Sequence, residues 1–166
     1  MNLQNMDTPL LHVLILIIIA NGAPIVLSHL TSNKVAHPID CGYIFFDRNR
    51  LLGNAKTWRG LIGSLLITSL FGLWLGYEFE TGFLIAAGAM SGDLLSSFIK
   101  RRLSLPPSSM APFLDQIPES LLPAMLVMQT FQLIAIDLAY LVAVFFVLEY
   151  VLSFLLYKLG IRKRPY

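Results

Sequence analysis

Residues 121–157 read LLPAMLVMQTFQLIAIDLAYLVAVFFVLEYVLSFLLY, an apolar run broken by strongly polar side chains only at Gln129, Gln132, Asp137 and Glu149. One helical crossing of a bilayer takes about 20 residues, so the run is long enough for nearly two. We divide it at Asp137 into spans over 121–136 and 138–157. Working outward, residues 9–29 make a first apolar span, and 60–77 and 83–99 a second and third. The last two are joined by the acidic turn Glu78–Phe79–Glu80–Thr81–Gly82, a length that fits a hairpin of antiparallel helices. The first span starts too late, with too little basic charge before it, for a cleaved signal peptide, and is expected to be retained.

Charge sets the direction. All twelve Lys and Arg residues fall into three clusters: Lys34 to Arg59, then Lys100–Arg101–Arg102, then Lys158 with Arg162–Lys163–Arg164. The positive-inside rule makes all three cytoplasmic. Five spans with the N-terminus outside and the C-terminus cytoplasmic satisfy that rule, and the opposite segments then carry only acids, Asp7, Glu78, Glu80 and Asp137. With 56% hydrophobic and 13% charged residues, the chain exceeds what a soluble core of this size needs. The expectation is an all-α integral membrane protein with a single polytopic domain over 1–166. A net charge of +2 spread in this way orients helices and gives no reason to expect a nucleic-acid partner. The single cysteine, Cys41, excludes an intrachain disulfide and a thiol-rich metal site.

Chemistry is therefore sought in the two cytoplasmic loops, about 30–59 and about 100–120. The first holds Asn33, Lys34, His37, Asp40, Asp47, Arg48, Arg50, Asn54, Lys56 and Arg59. The second holds Pro106, Pro107 and Pro112, which stop helix formation on the way to Leu114–Asp115–Gln116. On the third span, at 100° per residue, Asp93, Ser96, Ser97 and Lys100 share a face with Arg101 at its margin. A carboxylate inside an apolar span is costly, so Asp93 is either functional or paired, with Lys100 or Ser97 as the nearest partners. Fixed cations facing carboxylates suit phosphate groups plus a divalent metal, since Mg²⁺ is commonly held by one or two carboxylates and substrate phosphates. A lipid-facing setting adds an amphiphile, and a metal-dependent reaction between a nucleotide and a lipid phosphate would use both. Juxtamembrane Lys and Arg that merely anchor helices to anionic lipid are the plain alternative.

The residues themselves resemble a family, the archaeal CDP-archaeol synthases, relatives of the bacterial phosphatidate cytidylyltransferases. The resemblance runs through Ala20–Asn21–Gly22–Ala23–Pro24, Pro38–Ile39–Asp40 with Gly42, Asp47–Arg50, Leu52–Gly53 and Lys56–Thr57–Trp58–Arg59–Gly60. It continues through Gly92–Asp93 to Lys100–Arg101–Arg102, then Pro112 and Leu114–Asp115–Gln116, in order and at matching spacing. It implies cytidylyl transfer from CTP to a lipid phosphate with Mg²⁺, giving CDP-lipid and pyrophosphate at the cytoplasmic (inner) membrane. The acceptor would be an isoprenoid ether glycerol phosphate or a phosphatidate-like lipid. By the same resemblance Asp93 and Asp115 would be metal and triphosphate carboxylates. Lys100, Arg101, Lys56 and Arg59 would hold phosphates, and Asn21, Asp47, Thr57, Ser97 and Gln116 would line the nucleotide site.

Two positions depart from the family pattern. Gly53–Asn54 stands where Gly-Asp is expected, and Ile117–Pro118–Glu119 follows Asp115–Gln116 where another Asp is expected two residues on. Glu119 would then be the substitute metal carboxylate, one residue further along. A non-catalytic homologue that binds nucleotide or lipid is the alternative these departures open, and a small transport subunit is the competing class for charges inside spans. Glu149, near the middle of the last span, fits either a protonated helix interface or a polar cavity open to substrate.

Overall fold

The computed structural model describes residues 7–31, 36–107, 109 and 111–160. Asn33, Lys34 and the Arg162–Lys163–Arg164 end of the third basic cluster lie outside the described residues. Among the described residues five helices follow in chain order: α1 Asp7–Leu30, α2 Trp58–Trp74, α3 Phe79–Arg102, α4 Gln116–Leu126 and α5 Ala135–Lys158. No strand is found among the described residues, only the isolated bridges Pro38–Thr57 and Ile44–Arg50 in the first loop. Among the described residues three helices are long and apolar enough to cross a membrane, over Thr8–Leu30, Phe79–Arg102 and Ala135–Lys158.

The packing is that of a protein whose outer solvent is lipid. On α2 the buried face is Gly60, Ser64, Thr68, Ser69 and Gly72, while Ile62, Leu66, Leu70 and Trp74 point outward. Large apolar groups outside and small ones inside reverse the soluble pattern, because lipid tails accept Leu as readily as a core does and close backbone approach supplies the helix contact. Ser64 Oγ donates to the Ala20 carbonyl at 2.7 Å, joining α1 to α2. Helix α3 lies at the centre, against α1, α2 and α4, and α5 packs on α4 and α1.

The α3–α4 contact places the site. A Cβ on Gly92 would stand 2.3 Å from the Pro118 carbonyl oxygen, and one on Gly88 2.6 Å from Pro123 Cα. The two helices therefore run antiparallel with backbones touching, and Asp93 is carried to the start of α4. Gly92→Ala is expected to force them apart, costing about 1–3 kcal/mol, which thermal unfolding in detergent would register as a lower midpoint.

The fourth segment differs from the helix expected over 121–136. Helix α4 starts earlier, inside the expected second loop, and its 11 residues rise about 16 Å, half of a hydrocarbon core of about 30 Å. Turns then carry the chain onward, with Gln132 at φ 53° and Tyr77 packed on Phe131 at 4.9 Å, so the segment still reaches the N-terminal end of α3. Pro118 is tolerated within the first turn, where its missing N–H would have no helical partner. Asp137, taken from sequence as the divide, instead sits in the first turn of α5, where its Oδ2 accepts from the Ile134 N–H at 2.9 Å. The α2–α3 connection is also shorter than the expected acidic turn: Glu80, Thr81 and Gly82 already belong to α3, and Gly76 at φ +89° makes the reversal.

Candidate active site at the basic end of the bundle

The first loop is organised by a residue to which the sequence analysis gave no role. Asp40 is buried and accepts from the backbone N–H groups of Gly42 at 3.1 Å, Leu52 at 3.1 Å and Gly53 at 2.8 Å. Its carboxylate is also paired with Arg50, through Nε at 3.2 Å and through Nη2. Burial alone would push this carboxyl up, but Arg50 and the three N–H groups outweigh it and hold it well below the usual range. A depressed folded-state value means that Asp40 stabilises the fold above its unfolded pKa of about 3.9 and that this contribution is lost as pH falls further. Asp40→Asn should cost about 3–5 kcal/mol, because it leaves Arg50 without its counter-charge. The loss should appear near neutral pH and shrink below about pH 4, which unfolding midpoints across pH would check.

Around this loop the polar ends of α3 and α4 meet. Lys56, two residues before α2, pairs with Asp93 at 2.5 Å, and Lys100 pairs with Asp115 at 2.8 Å. Lys100 also donates to the Ser109 carbonyl at 3.1 Å, and both Lys100 and Asp115 are buried. Asp115 Oδ2 accepts from the Ala111 N–H at 2.9 Å, and buried Gln116 accepts from the Phe113 N–H at 2.9 Å, which fixes the turn into α4. Burial acts to discharge the Lys56 ammonium, yet Asp93, Glu119 and Asp115 outweigh it and raise its pKa above the ordinary lysine value. Three carboxylates thus gather around two ammonium groups. Asp115 and Glu119 are four residues apart, one face of a helix, so Glu119 comes to the cluster despite Pro118. Glu149 of α5 is within electrostatic reach of Glu119, which brings α5 to the same site. Among the described residues, no three carboxylate, histidine or cysteine side chains converge closely enough to hold a metal unaided.

The expected residues divide. Asp93, Lys56, Lys100, Asp115, Gln116 and Glu119 come together, with Ser97 buried on the same helix. The pairing is Lys56 with Asp93, where the sequence offered Lys100 or Ser97 as its partner. Arg101 is buried and turns to the Pro106 carbonyl at 2.9 Å, facing a cavity of about 260 Å³ between the two loops. Arg59 lies half-buried in the first turn of α2. Three expected nucleotide residues make local bonds. Thr57 caps α2 by accepting from the Gly60 N–H at 3.2 Å, and Asn21 donates within α1 to the Ile17 carbonyl at 3.1 Å. Asp47 pairs with Arg102 at 3.1 Å and accepts from Asn49, which together with Arg102 keeps its carboxyl below the usual range despite some desolvation. Asn54, the first departure from the family pattern, accepts from Arg50 Nη1 at 2.6 Å and lines the loop cavity, apart from the Asp93 pair.

The sequence profile of the family described as CarS-like CDP-archaeol synthase matches residues 10–78 and 71–166. The chain belongs to the CDP-archaeol synthase family. The relative of that name from Pyrococcus furiosus is 42% identical over 107 residues, 58% of this chain and 60% of the relative. The relative from Thermofilum pendens is 42% identical over 104 residues, and the match spans only 51% of its length. The Pyrobaculum calidifontis relative is 34% identical over 154 residues, 89% of this chain and 91% of its own. Among solved structures, an intramembrane enzyme of archaeal membrane-lipid biosynthesis superposes with a TM-score of 0.73 at 28% identity, covering 86% of this chain and 90% of that one. Family and bundle together make this a multi-pass membrane protein.

Proposed function

We propose that this protein is a CTP:lipid-phosphate cytidylyltransferase of the cytoplasmic membrane. The observation that carries the reading is the Asp93–Asp115–Glu119 cluster with Lys56 and Lys100, set where two polar loops meet the ends of apolar helices. The topology we propose has five crossings, the fourth made by α4 and its turns, with the N-terminus outside and all basic groups on the cytoplasmic side. The names of the relatives favour an isoprenoid ether glycerol phosphate as acceptor.

The cluster holds one more carboxylate than ammonium groups, and a donor set of two or three carboxylates completed by substrate phosphates fits Mg²⁺. Asp93 and Asp115, with Glu119, would hold it, and when bound it supplies neutralisation of phosphate charge. The chain's own residues do the rest. Lys56 and Lys100, released from their carboxylates, turn to phosphate oxygens, and Arg101 meets the triphosphate tail. A lipid phosphate oxygen attacks the α-phosphorus in line; that P–O bond forms as the bond to the bridging oxygen of the β-phosphate breaks, and pyrophosphate leaves. No enzyme nucleophile takes part, so catalysis is alignment and charge stabilisation in a site shielded by helices.

The test is pyrophosphate release by the purified protein in detergent with Mg²⁺ and CTP, against a geranylgeranyl ether glycerol phosphate and, separately, phosphatidate. The expected result is lipid-dependent release with a CDP-lipid product and preference for the ether lipid. Equal rates with both would remove the lipid assignment. No release with either, from protein shown to be folded, would overturn the activity.

A further inference from the structure

The tip of the first loop is a preformed hairpin. Ile44 and Arg50 make an isolated antiparallel bridge, the Phe45 N–H donates to the Asn49 carbonyl at 2.8 Å, and the Arg48 N–H donates to the Phe45 carbonyl at 3.0 Å. Asp47 closes the turn by accepting from the Asn49 N–H at 3.0 Å. What this ordered tip displays is apolar: Phe46 is 92% exposed, and Tyr43 and Ile44 are exposed beside it. Apolar side chains grouped on an exposed turn mark a contact surface rather than a water-facing loop.

The hairpin's seat decides which surface it meets. Phe45 packs edge-on against Phe98 of α3, with ring centroids 5.7 Å apart, and against Phe46 at 4.9 Å, so a row of three rings leads from the helix to the tip. At 100° per residue, Phe98 shares a stripe of α3 with Ser91, Leu95 and Arg102, while Asp93 and Lys100 lie on the other side. Ser91 and Leu95 are exposed, which makes this the stripe that α3 turns to lipid. Helix α3 has 24 residues and rises about 36 Å, against about 30 Å of hydrocarbon. Phe98 lies four residues, about 6 Å, before the end of that helix, so it sits at the hydrocarbon boundary with the hairpin against it at that depth. Arg102 holds the hairpin there: its guanidinium carbon lies 4.6 Å from the Phe45 ring centroid and 4.9 Å from that of Phe98, and it pairs with Asp47 at 3.1 Å.

Charge gives the chemistry of the partner. Asp47 is neutralised by Arg102, so Arg48, exposed and forming no ion pair among the described residues, leaves the tip with a net positive charge. Aromatic rings with a cation beside them are the pattern of a membrane interface, where rings enter the acyl boundary and the cation stays among phosphates. We infer that the Tyr43–Arg48 hairpin is a lipid anchor, in which Phe46 enters the leaflet at the basic end of the bundle and Arg48 meets the phosphate of an anionic lipid. The inference goes beyond the proposed activity and stands without it. Its consequence is that the first loop, with Asp40 at its centre and Lys56 at its end, is held at a fixed depth from two sides, by α3 and by the bilayer.

The test is a nitroxide attached at Phe46→Cys in a Cys41→Ser background, which removes the single native cysteine. The intact protein is reconstituted in phosphatidylcholine vesicles with or without phosphatidylglycerol. Because Phe46 is almost fully exposed and the label puts one apolar ring in place of another, the fold is kept, as helical circular dichroism checks. Collision rates with oxygen and with a water-soluble nickel chelate, calibrated by spin-labelled lipids, give the depth of the label. The expected result is a label about 5–10 Å below the phosphates, the depth of an interfacial apolar face. Adding Arg48→Gln should lower the ratio of inserted to free label about fivefold in vesicles with anionic lipid and leave it nearly unchanged in phosphatidylcholine alone, the weight of one basic residue at a charged surface. A label as open to the chelate as one in water would overturn the anchor. So would a label shielded from both reagents and broadened by a second label, which would make the tip a contact between copies of the chain. An Arg48→Gln effect of equal size in both kinds of vesicle would overturn the role of anionic lipid.

Discussion

Asp93→Asn is expected to lower cytidylyl transfer by about 10²–10³-fold, the scale of losing one directed electrostatic contact in a water-poor site, while the bundle stays folded. The side chain is only 20% exposed, and its oxygen meets the Lys56 ammonium at 2.5 Å. Asparagine keeps the shape and one acceptor oxygen but removes the charge. Two functions would go with it: a place for Mg²⁺ and the contact that parks Lys56 beside the reacting phosphates. The loss should fall on kcat more than on the KM for lipid, since the acceptor's chains are held elsewhere. Helical circular dichroism and the unfolding midpoint distinguish this from collapse of the fold. Wild-type turnover in a folded Asp93→Asn protein would sink the assignment of Asp93. Removing both charges with Lys56→Met is the complementary measurement. If the pair merely joins the first loop to α3, the double variant should recover stability and activity together; if Asp93 acts on substrate, stability alone should return.

Much of the fold was legible because its physics is one-dimensional. The apolar runs that mark α1, α3 and α5 follow from the cost of exposing backbone polar groups to hydrocarbon, and that cost is read residue by residue. The fourth segment was not legible in the same way. Its hydropathy is continuous through Leu121–Leu133, but Pro118, Pro123 and the contacts at Gly88 and Gly92 decide where helix gives way to turn. Those are tertiary facts, since a glycine in a sequence does not say which backbone will come to touch it. Asp137 shows the same limit: a lone acid in an apolar run marks a helix boundary, and only the hydrogen bond to Ile134 shows on which side of it the residue lies.

The site was legible as a set of charges and illegible as a set of pairs. The stripe Asp93–Ser97–Lys100 correctly placed acid and base on one face of α3, yet each found its partner on another element, Lys56 before α2 and Asp115 before α4. Helical periodicity reports neighbours on one helix and is silent about loops that fold over it. Asp40 was missed for that reason. An Asp-x-Gly sequence signals a turn in which the carboxylate accepts from its own backbone, which the Gly42 contact satisfies, but nothing local predicts Arg50, Leu52 and Gly53 converging on the same group. Asn21, Asp47 and Thr57 each make a bond that the loop or helix needs locally, a use that a motif match does not reveal.

Glu119→Gln is expected to reduce activity, and to raise the Mg²⁺ concentration needed for half-maximal rate, by about 10–100-fold. The family pattern expects an acid three residues after Asp115, where this chain has Pro118. A helix offers two positions on the face of Asp115, three and four residues on, and α4 has already begun at Gln116. Glu119 therefore reaches the cluster from the second of these, and its longer side chain suits the extra turn angle. It is buried at 6% exposure beside Asp93, Asp115 and Lys56, a setting in which a surplus carboxylate is unfavourable until a cation joins it. Neutralising it should accordingly stabilise the protein without Mg²⁺ even as it weakens the site, so the unfolding midpoint and the Mg²⁺ dependence should move in opposite directions. A merely structural residue would lower both. Rescue gives the sharper reading: Pro118→Asp combined with Glu119→Gln returns the carboxylate to the family's position and should recover activity to within about tenfold of wild type. An unchanged Mg²⁺ requirement in Glu119→Gln would remove Glu119 from the metal set and leave Asp93 and Asp115 as its only carboxylates.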